Sequence, residues 1–350
     1  MDTPEGLVDW ELAARIAARL TAPGPVANRA ELTELVDELR DAAGRAAGHA
    51  AAITGLAAAD GTPAERVSTV LVVDRPRWAQ ANAEVFAAMT GPLATSVQSP
   101  AARSAAAVQV GGVLALLAGK VLGQFDPFSQ AGARGRLLLV APNVLHHERT
   151  LAVDPSDFRL WVALHEQTHA LQFAAAPWLA DHLRTRAGEL MADVAGDTGL
   201  VPRVGGLLQS VTRAVTGSSG AGLGVLDLLT ARQREVFVEV GAVMALLEGH
   251  ADVAMDEVGT GVVPSVRRIR RAFEARRDQA ARARGADRVV RRLLGLDTKL
   301  AQYRDGAAFV RAVRKDVGLA GLNAIWASAG HLPLPREIAD PRAWVRRVHG

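Results

Sequence analysis

The sequence predicts a mainly α-helical protein with a few short β-strands. Of its 350 residues 49% are hydrophobic but only 4% aromatic. The core must therefore come from Ala, Leu and Val, which suits closely packed helices better than a sheet. Most of the chain also places apolar residues at helical spacing. Only two apolar runs are short enough to read as strands, Val67–Val73 and the segment RLLLVAPNV from Arg136.

Taken in order, residues 7–20 and 28–58 read as amphipathic helices separated by TAPGPVAN. The Val-rich strand follows, closed by Asp74 and Pro76, and RWAQANAEVFAAM returns to helical spacing. A buried helix near 104–122 leads through the turn-rich GQFDPFSQAGARG into the second strand, with Pro142-Asn143 as its stop. The best-defined helix starts at VDPSDF. Asp154 can cap it, Pro155 suits its first position, Asp157 puts negative charge in its first turn, and Pro177 ends it. Further helices are expected over 178–197, 201–216, 230–257, 265–283, 286–302, 305–317 and 319–327, with TGSSGAGLG (216–224) as the flexible segment. With no internal repeat and no clear linker, a single domain over 1–350 is expected, in an N-terminal helical part, 1–150, and a part 151–350.

Composition narrows the chemistry. Cysteine is absent, so any metal must sit on His, Glu or Asp. The first twenty residues lack the basic start and apolar block of an export signal, which gives a cytoplasmic expectation. Ala105–Gly119 is apolar but shorter than the roughly 20 residues of a membrane span, so a buried helix is expected and no span. The net charge is +3, with Lys only at 120, 299 and 315. Residues 267–292 hold eleven Arg against Glu274, Asp278 and Asp287. These arginines go around the helix with no aromatic ladder, so solvated faces are expected there and not a nucleic-acid partner.

The chemistry concentrates in LHEQTHALQF, from Leu164. His165 and His169 stand four residues apart, so both imidazoles lie on one helix face and can grip one ion. Glu166 is displaced around the helix, where it can act on water without being a ligand. Apolar Trp161, Leu164 and Leu171 imply a half-buried helix, where two histidines without partners would be costly. The extended pattern HExxHxxGxxH fails, because position 172 is Gln and 175 is Ala. His182 lies beyond Pro177, on a different element. The stronger source of a third ligand is MALLEGHADVAMDEVG, where Glu248 and Asp252 are again four apart. Glu248 is the expected ligand, and Asp252 the expected acceptor for the free ring N–H of a ligand histidine. His250 then points elsewhere.

HEQTH at 165–169, LLEGHADVAMD at 246–256 and LDTKLAQYRDGAAFV at 296–310, with VVDRPRWAQAN at 72–82 and GLNAIWAS at 321–328, together resemble a known family. It is the zincin-like metallopeptidase family common in actinobacteria and often labelled as associated with deazaflavin-coenzyme biosynthesis. The resemblance implies a mostly helical zincin-like fold and one Zn2+ held by His165, His169 and Glu248, with Glu166 catalytic. It supplies no substrate. Glu248 lies 79 positions beyond His169, further than in compact members of the wider clan.

Two further parts of a hydrolytic site are expected. Metallopeptidases commonly hold an extended peptide against a strand beside the metal helix, and RLLLVAPNV is either that edge or an ordinary core strand. The developing oxyanion needs a donor besides the metal. Tyr303, the only tyrosine, is either that donor or a helix residue capping the core, and His331 is a weaker candidate. His146 and His147 read as surface residues. The expected function is a zinc-dependent metallopeptidase acting on a peptide or protein. The alternative is a non-catalytic binding protein of the same fold with a structural or vestigial metal site.

Overall fold

A computed structural model describes residues 8–90, 99–129, 134–195, 230–282 and 296–350, which divide into two compact units. The expected helix at 201–216 and the segment 216–224 lie outside the described residues, as does the stretch 283–295.

The first unit holds Met1–Asp181 and Ala254–Ile269. Its helix α1 (Trp10–Leu20) starts where the Asp9 carboxylate accepts the Leu12 N–H at 2.9 Å. Helix α2 (Arg29–Thr54) opens with a reciprocal cap, in which Asn28 Oδ1 accepts from Glu31 N–H and the Glu31 carboxylate accepts from Asn28 N–H. Its buried stripe is Leu35, Leu39, Ala42, Ala43, Ala46, Ala47 and Ala50. Small side chains at helical spacing let α6 (Pro155–Ala175) lie close along it.

Against these two helices packs a three-stranded sheet in the order β1 (Ser68–Val73), β3 (Gly135–Val140), β2 (Gly123–Asp126). β1 pairs parallel to β3 and β2 antiparallel to it. Side chains alternate across a strand, so each face has its own partners. Val73, Leu138 and Val140 pack with Trp78 and Ala79 of α3 (Arg75–Thr90) and Leu114 and Ala118 of α4 (Pro100–Ala118). Gly123 and Ser68 face α6, where the Ser68 hydroxyl meets the Gln167 amide oxygen at 3.4 Å.

RLLLV forms the central strand, the core reading of the two left open, and one local expectation is corrected. One edge is β2, GQFD, in the stretch expected to be a turn-rich loop. Four residues carry too little alternation to read as a strand, and Asp126, a poor strand former, is held by bonds of 2.8 and 3.0 Å to Arg136 on β3. The strand stops before Pro142-Asn143, as expected, and this pair lies in the first turn of a helix, α5 (Ala141–Leu151). Proline suits a helix's first turn because no N–H is needed there. The buried Asn143 amide donates to the carbonyls of Ala118 and Val121 (2.7 and 2.6 Å).

α4 begins at Pro100 and, by length and apolarity alone, is sufficient to cross a membrane. In the structure it packs against α1 and α3. Gly111 permits this closeness, since a Cβ there would meet the Ala13 carbonyl at 2.7 Å.

The second unit, His182–Val253 and Arg270–Gly350, holds most of α7 (Trp178–Ala195) and α8 (Ala231–Glu257), then α9 (Val266–Arg282), α10 (Leu296–Asn323), α11 (Pro335–Ala339) and α12 (Pro341–His349). Within it α8 and α10 cross backbone against backbone. A Cβ on Gly249 would run into Gly306 and Ala307, and one on Gly306 into the Ala245 carbonyl. The two helices expected over 305–317 and 319–327 meet at Gly318, whose non-helical φ of 72° suits glycine and breaks α10 there, and the second gives way after Asn323 to a short turn over Ala324–Ala327. The C-terminus is fastened by Arg347. It binds both Glu337 oxygens (2.7 and 2.8 Å) and the carbonyls of Gly330 and Leu332 (2.6 and 2.9 Å).

A candidate metal centre

The helix that carries the site is fixed at its start. Asp154 accepts the Asp157 N–H at 3.0 Å, Pro155 stands in the first turn, and the Asp157 carboxylate accepts the Ser265 N–H at 2.7 Å. Buried Trp161, Leu164 and Leu171 lock the helix rotation. His165 and His169 are thereby left on one face, both half-buried, with ring centroids 4.7 Å apart at 90°.

Each imidazole is oriented through its Nδ1. His169 Nδ1 lies 2.9 Å from the Gln172 amide oxygen, and Gln172 is fully buried. His165 Nδ1 lies 3.1 Å from the Met255 sulfur. Both partners can accept in this orientation, and with the ring protons on Nδ1 the Nε2 lone pairs are left for an ion. The two Nε2 atoms stand 3.1 Å apart. Two lone pairs turned toward each other repel, and a cation held between them relieves that repulsion.

Glu248, on α8, is the candidate third donor. One ring nitrogen each from His165 and His169 and a Glu248 carboxylate oxygen all lie within 4.8 Å of one another. Neighbouring ligands of a tetrahedral zinc are about 3.3 Å apart, given bonds of roughly 2.0–2.1 Å. Two imidazoles and one carboxylate at this spacing, with no thiolate, are a donor set that could hold a borderline-hard divalent ion.

Glu166 is 6% exposed and lies against β2. A Cβ added at Gly123 would stand 2.6 Å from Glu166 Cγ and 2.8 Å from its Cδ and Oε1. Glycine at the start of the edge strand is what lets this carboxylate settle beside the strand backbone. Two residues on, Phe125 packs on Phe173 of α6 with centroids 5.6 Å apart.

The other candidates lie elsewhere. Asp252, expected to orient a ligand ring, pairs instead with Arg270, whose Nη1 stands 3.3 Å from its carboxylate and whose Nη2 donates to its carbonyl at 3.0 Å. A guanidinium nearby outcompetes a neutral imidazole N–H for an aspartate. His250 is buried beside Trp326, with ring centroids 5.4 Å apart. His182 sits among Arg186, Glu189 and Glu239, and burial, reinforced by Arg186, pushes its pKa below the ordinary value. His331 Nδ1 meets the Ala324 carbonyl at 2.8 Å, a local turn contact. His146 is exposed on α5, and His147 bonds the Asn143 carbonyl at 3.1 Å. Tyr303 falls within α10, but its side chain lies outside the described residues.

Three residues at the centre were not anticipated: Gln172, Met255 and Gly123. Gln172 occupies the position at which the extended histidine motif fails, one turn past His169, and that spacing alone marks it as a neighbour of the ring. Met255 follows Glu248 by seven residues, two helical turns, and so shares its face.

Comparison with known proteins identifies the family. A family model described as zincin-like metallopeptidase matches residues 8–345. A solved structure from Chloroflexus aurantiacus, described as a novel fold and only provisionally as a hydrolase, is 31% identical, with a TM-score of 0.68. The match covers 98% of this chain and 99% of that one. A search of curated proteins gave no match. A family match spanning nearly the whole length, on a fold that groups two HEQTH imidazoles with a distant glutamate, establishes that the chain belongs to the zincin-like metallopeptidase family.

Proposed function

We propose that the chain is a zinc-dependent hydrolase of peptidase type, with His165, His169 and Glu248 as the metal ligands and Glu166 as the general base. The observation that carries this reading is the donor trio within 4.8 Å, with a buried carboxylate on the next residue of the same helix. A zinc ion at such a trio supplies Lewis acidity, polarising a carbonyl and lowering the pKa of water to roughly 7.

The protein's own groups do the rest. Glu166 takes the proton from the attacking water and returns it to the leaving amine nitrogen, and its burial beside Gly123 keeps it aimed. Gln172 and Met255 hold the two ligand rings so that neither Nε2 turns away. β2 is one of the two edge strands of the sheet among the described residues, and its outer backbone groups can pair with an extended peptide lying across the site.

Cleavage of a broad peptide library tests this reading. The zinc-loaded protein should cut peptides, and Glu166→Gln should slow the cut by about 10²–10⁴-fold, the usual contribution of a general base. Equal cleavage by both would remove Glu166 from the chemistry. Zinc binding with no cleavage of any peptide would favour a binding role.

A further inference from the structure

Arg75, the first residue of α3, is only 8% exposed. Its Nε donates to Asn143 Oδ1, and its Nη1 to the carbonyls of Ala22 and Pro23, each at 2.7 Å. All three acceptors are neutral. Nη2 makes no hydrogen bond, and no carboxylate pairs with this guanidinium, among the described residues. The other deeply buried arginines of the unit differ. Arg136 holds Asp126 and Glu84, and Arg159 holds Glu148 and Glu38. A charge taken from water without an opposite charge is costly, and burial pushes the Arg75 pKa below its ordinary value accordingly.

Arg75 lines a cleft of about 520 Å³. Most of the remaining wall is apolar, including Leu32, Leu35, Val72 and Leu145. The cleft lies where the parallel strands β1 and β3 end and run directly into α3 and α5. Crevices at the carboxyl ends of parallel strands are common ligand positions. Ala141 and Pro142, the start of α5, form part of the wall, and no side chain caps that helix. Its positive end therefore adds to the field of Arg75. The acidic residue at the cleft, Asp74, is engaged at the start of α3, where its Oδ1 accepts the Arg77 N–H at 2.8 Å.

We infer that this cleft binds a small organic carboxylate with an apolar body, its charge against Arg75 and the start of α5 and its hydrocarbon along Leu32, Leu35 and Leu145. The site is distinct from the metal centre and does not depend on the proposed hydrolysis. A neutral body of the same shape lacks the counter-charge, and a bare inorganic anion leaves the apolar walls unfilled.

Calorimetric titration of the full chain with octanoate, 1-octanol and inorganic phosphate decides it. Octanoate should bind saturably at one per chain, and octanol and phosphate at least about tenfold more weakly, as expected for loss of a hydrogen bond to a charged group. Arg75→Gln should weaken octanoate by a similar factor. Because Arg75 also clamps the Ala22–Pro23 backbone, that variant can fail to fold, and a second one carries the test. Leu32→Asp, at a position 45% exposed, should keep the melting temperature and lose about tenfold in octanoate affinity through charge repulsion. Equal binding of octanol, tighter binding of phosphate, or full octanoate affinity in Leu32→Asp would each overturn the inference. With no saturable binding of any probe, Arg75 is a loop clamp only.

Discussion

The two halves of α6 hold polar groups in opposite ways. In its first half, Arg159 is flanked by carboxylates, with Glu148 on α5 at 2.7 and 3.0 Å and Glu38 on α2. Arg159 thus meets an opposite charge from two different helices. In its second half, His165 and His169 meet a thioether and an amide, and Glu166 rests on a glycine strand. Neither of the two ring partners carries a charge. One helix thus serves as anchor and as reactive surface, and the chemical type of its partners distinguishes the two.

The anchor should be the most damaging place to cut. Arg159→Leu leaves Glu148, whose side chain is 4% exposed, without its cation. Loss of one partner of a buried pair costs about 3–5 kcal/mol, readable by denaturant unfolding. Replacing both Arg159 and Glu148 by leucine should recover most of that loss. A single variant within about 1 kcal/mol of wild type, the level of an exposed pair, would erase the contrast between the two halves.

The reactive half should instead lose function while keeping its fold. Gly123→Ala drives a methyl into Glu166 and should lower hydrolysis by about 10²-fold, the lower end of general-base contributions, with metal affinity unchanged. In the unloaded protein the same substitution should lower the melting temperature of wild type but not of a Glu166→Ala background. Equal destabilisation in both would show that the strand, not the carboxylate, needs the glycine. Gln172→Ala should weaken metal binding by about 10–100-fold, the usual effect of removing a partner that orients a ligand histidine. Competition with a chelating dye measures that directly.

The smallest effect concerns pH and tests the anchor rule at the C-terminus. Burial alone would raise the Glu337 pKa. The Arg347 guanidinium and the Leu334 N–H outweigh it and hold the carboxyl below its ordinary 4.5. A lowered native pKa gives stability that is present above 4.5 and lost as pH falls through the native value. Thermal melts should therefore show a shallower decline below pH 4.5 in Glu337→Gln than in wild type. Parallel declines would assign the acid sensitivity to other groups.

Much of this was legible in the sequence, for definite reasons. The start of α6 was readable because Asp154, Pro155 and Asp157 each act within one turn. The histidine face followed from spacing alone. Glu248 was reachable because a carboxylate in an apolar helix asks for a partner. What stayed hidden depends on contacts between distant segments. β2 is a strand because Arg136 and β3 hold it, and nothing within GQFD says so. Asp252 turned to Arg270, eighteen residues on, a choice no helical periodicity encodes. Gly249 and Gly306 are unremarkable glycines until their helices cross.

The ligand trio stands or falls on zinc stoichiometry in the purified protein and two variants. Elemental analysis after equilibration with limiting zinc should find one ion per chain in wild type and in Glu166→Gln, and much less in Glu248→Ala at the same free zinc. Full zinc in Glu248→Ala, with its fold intact, would contradict the assignment of the third ligand.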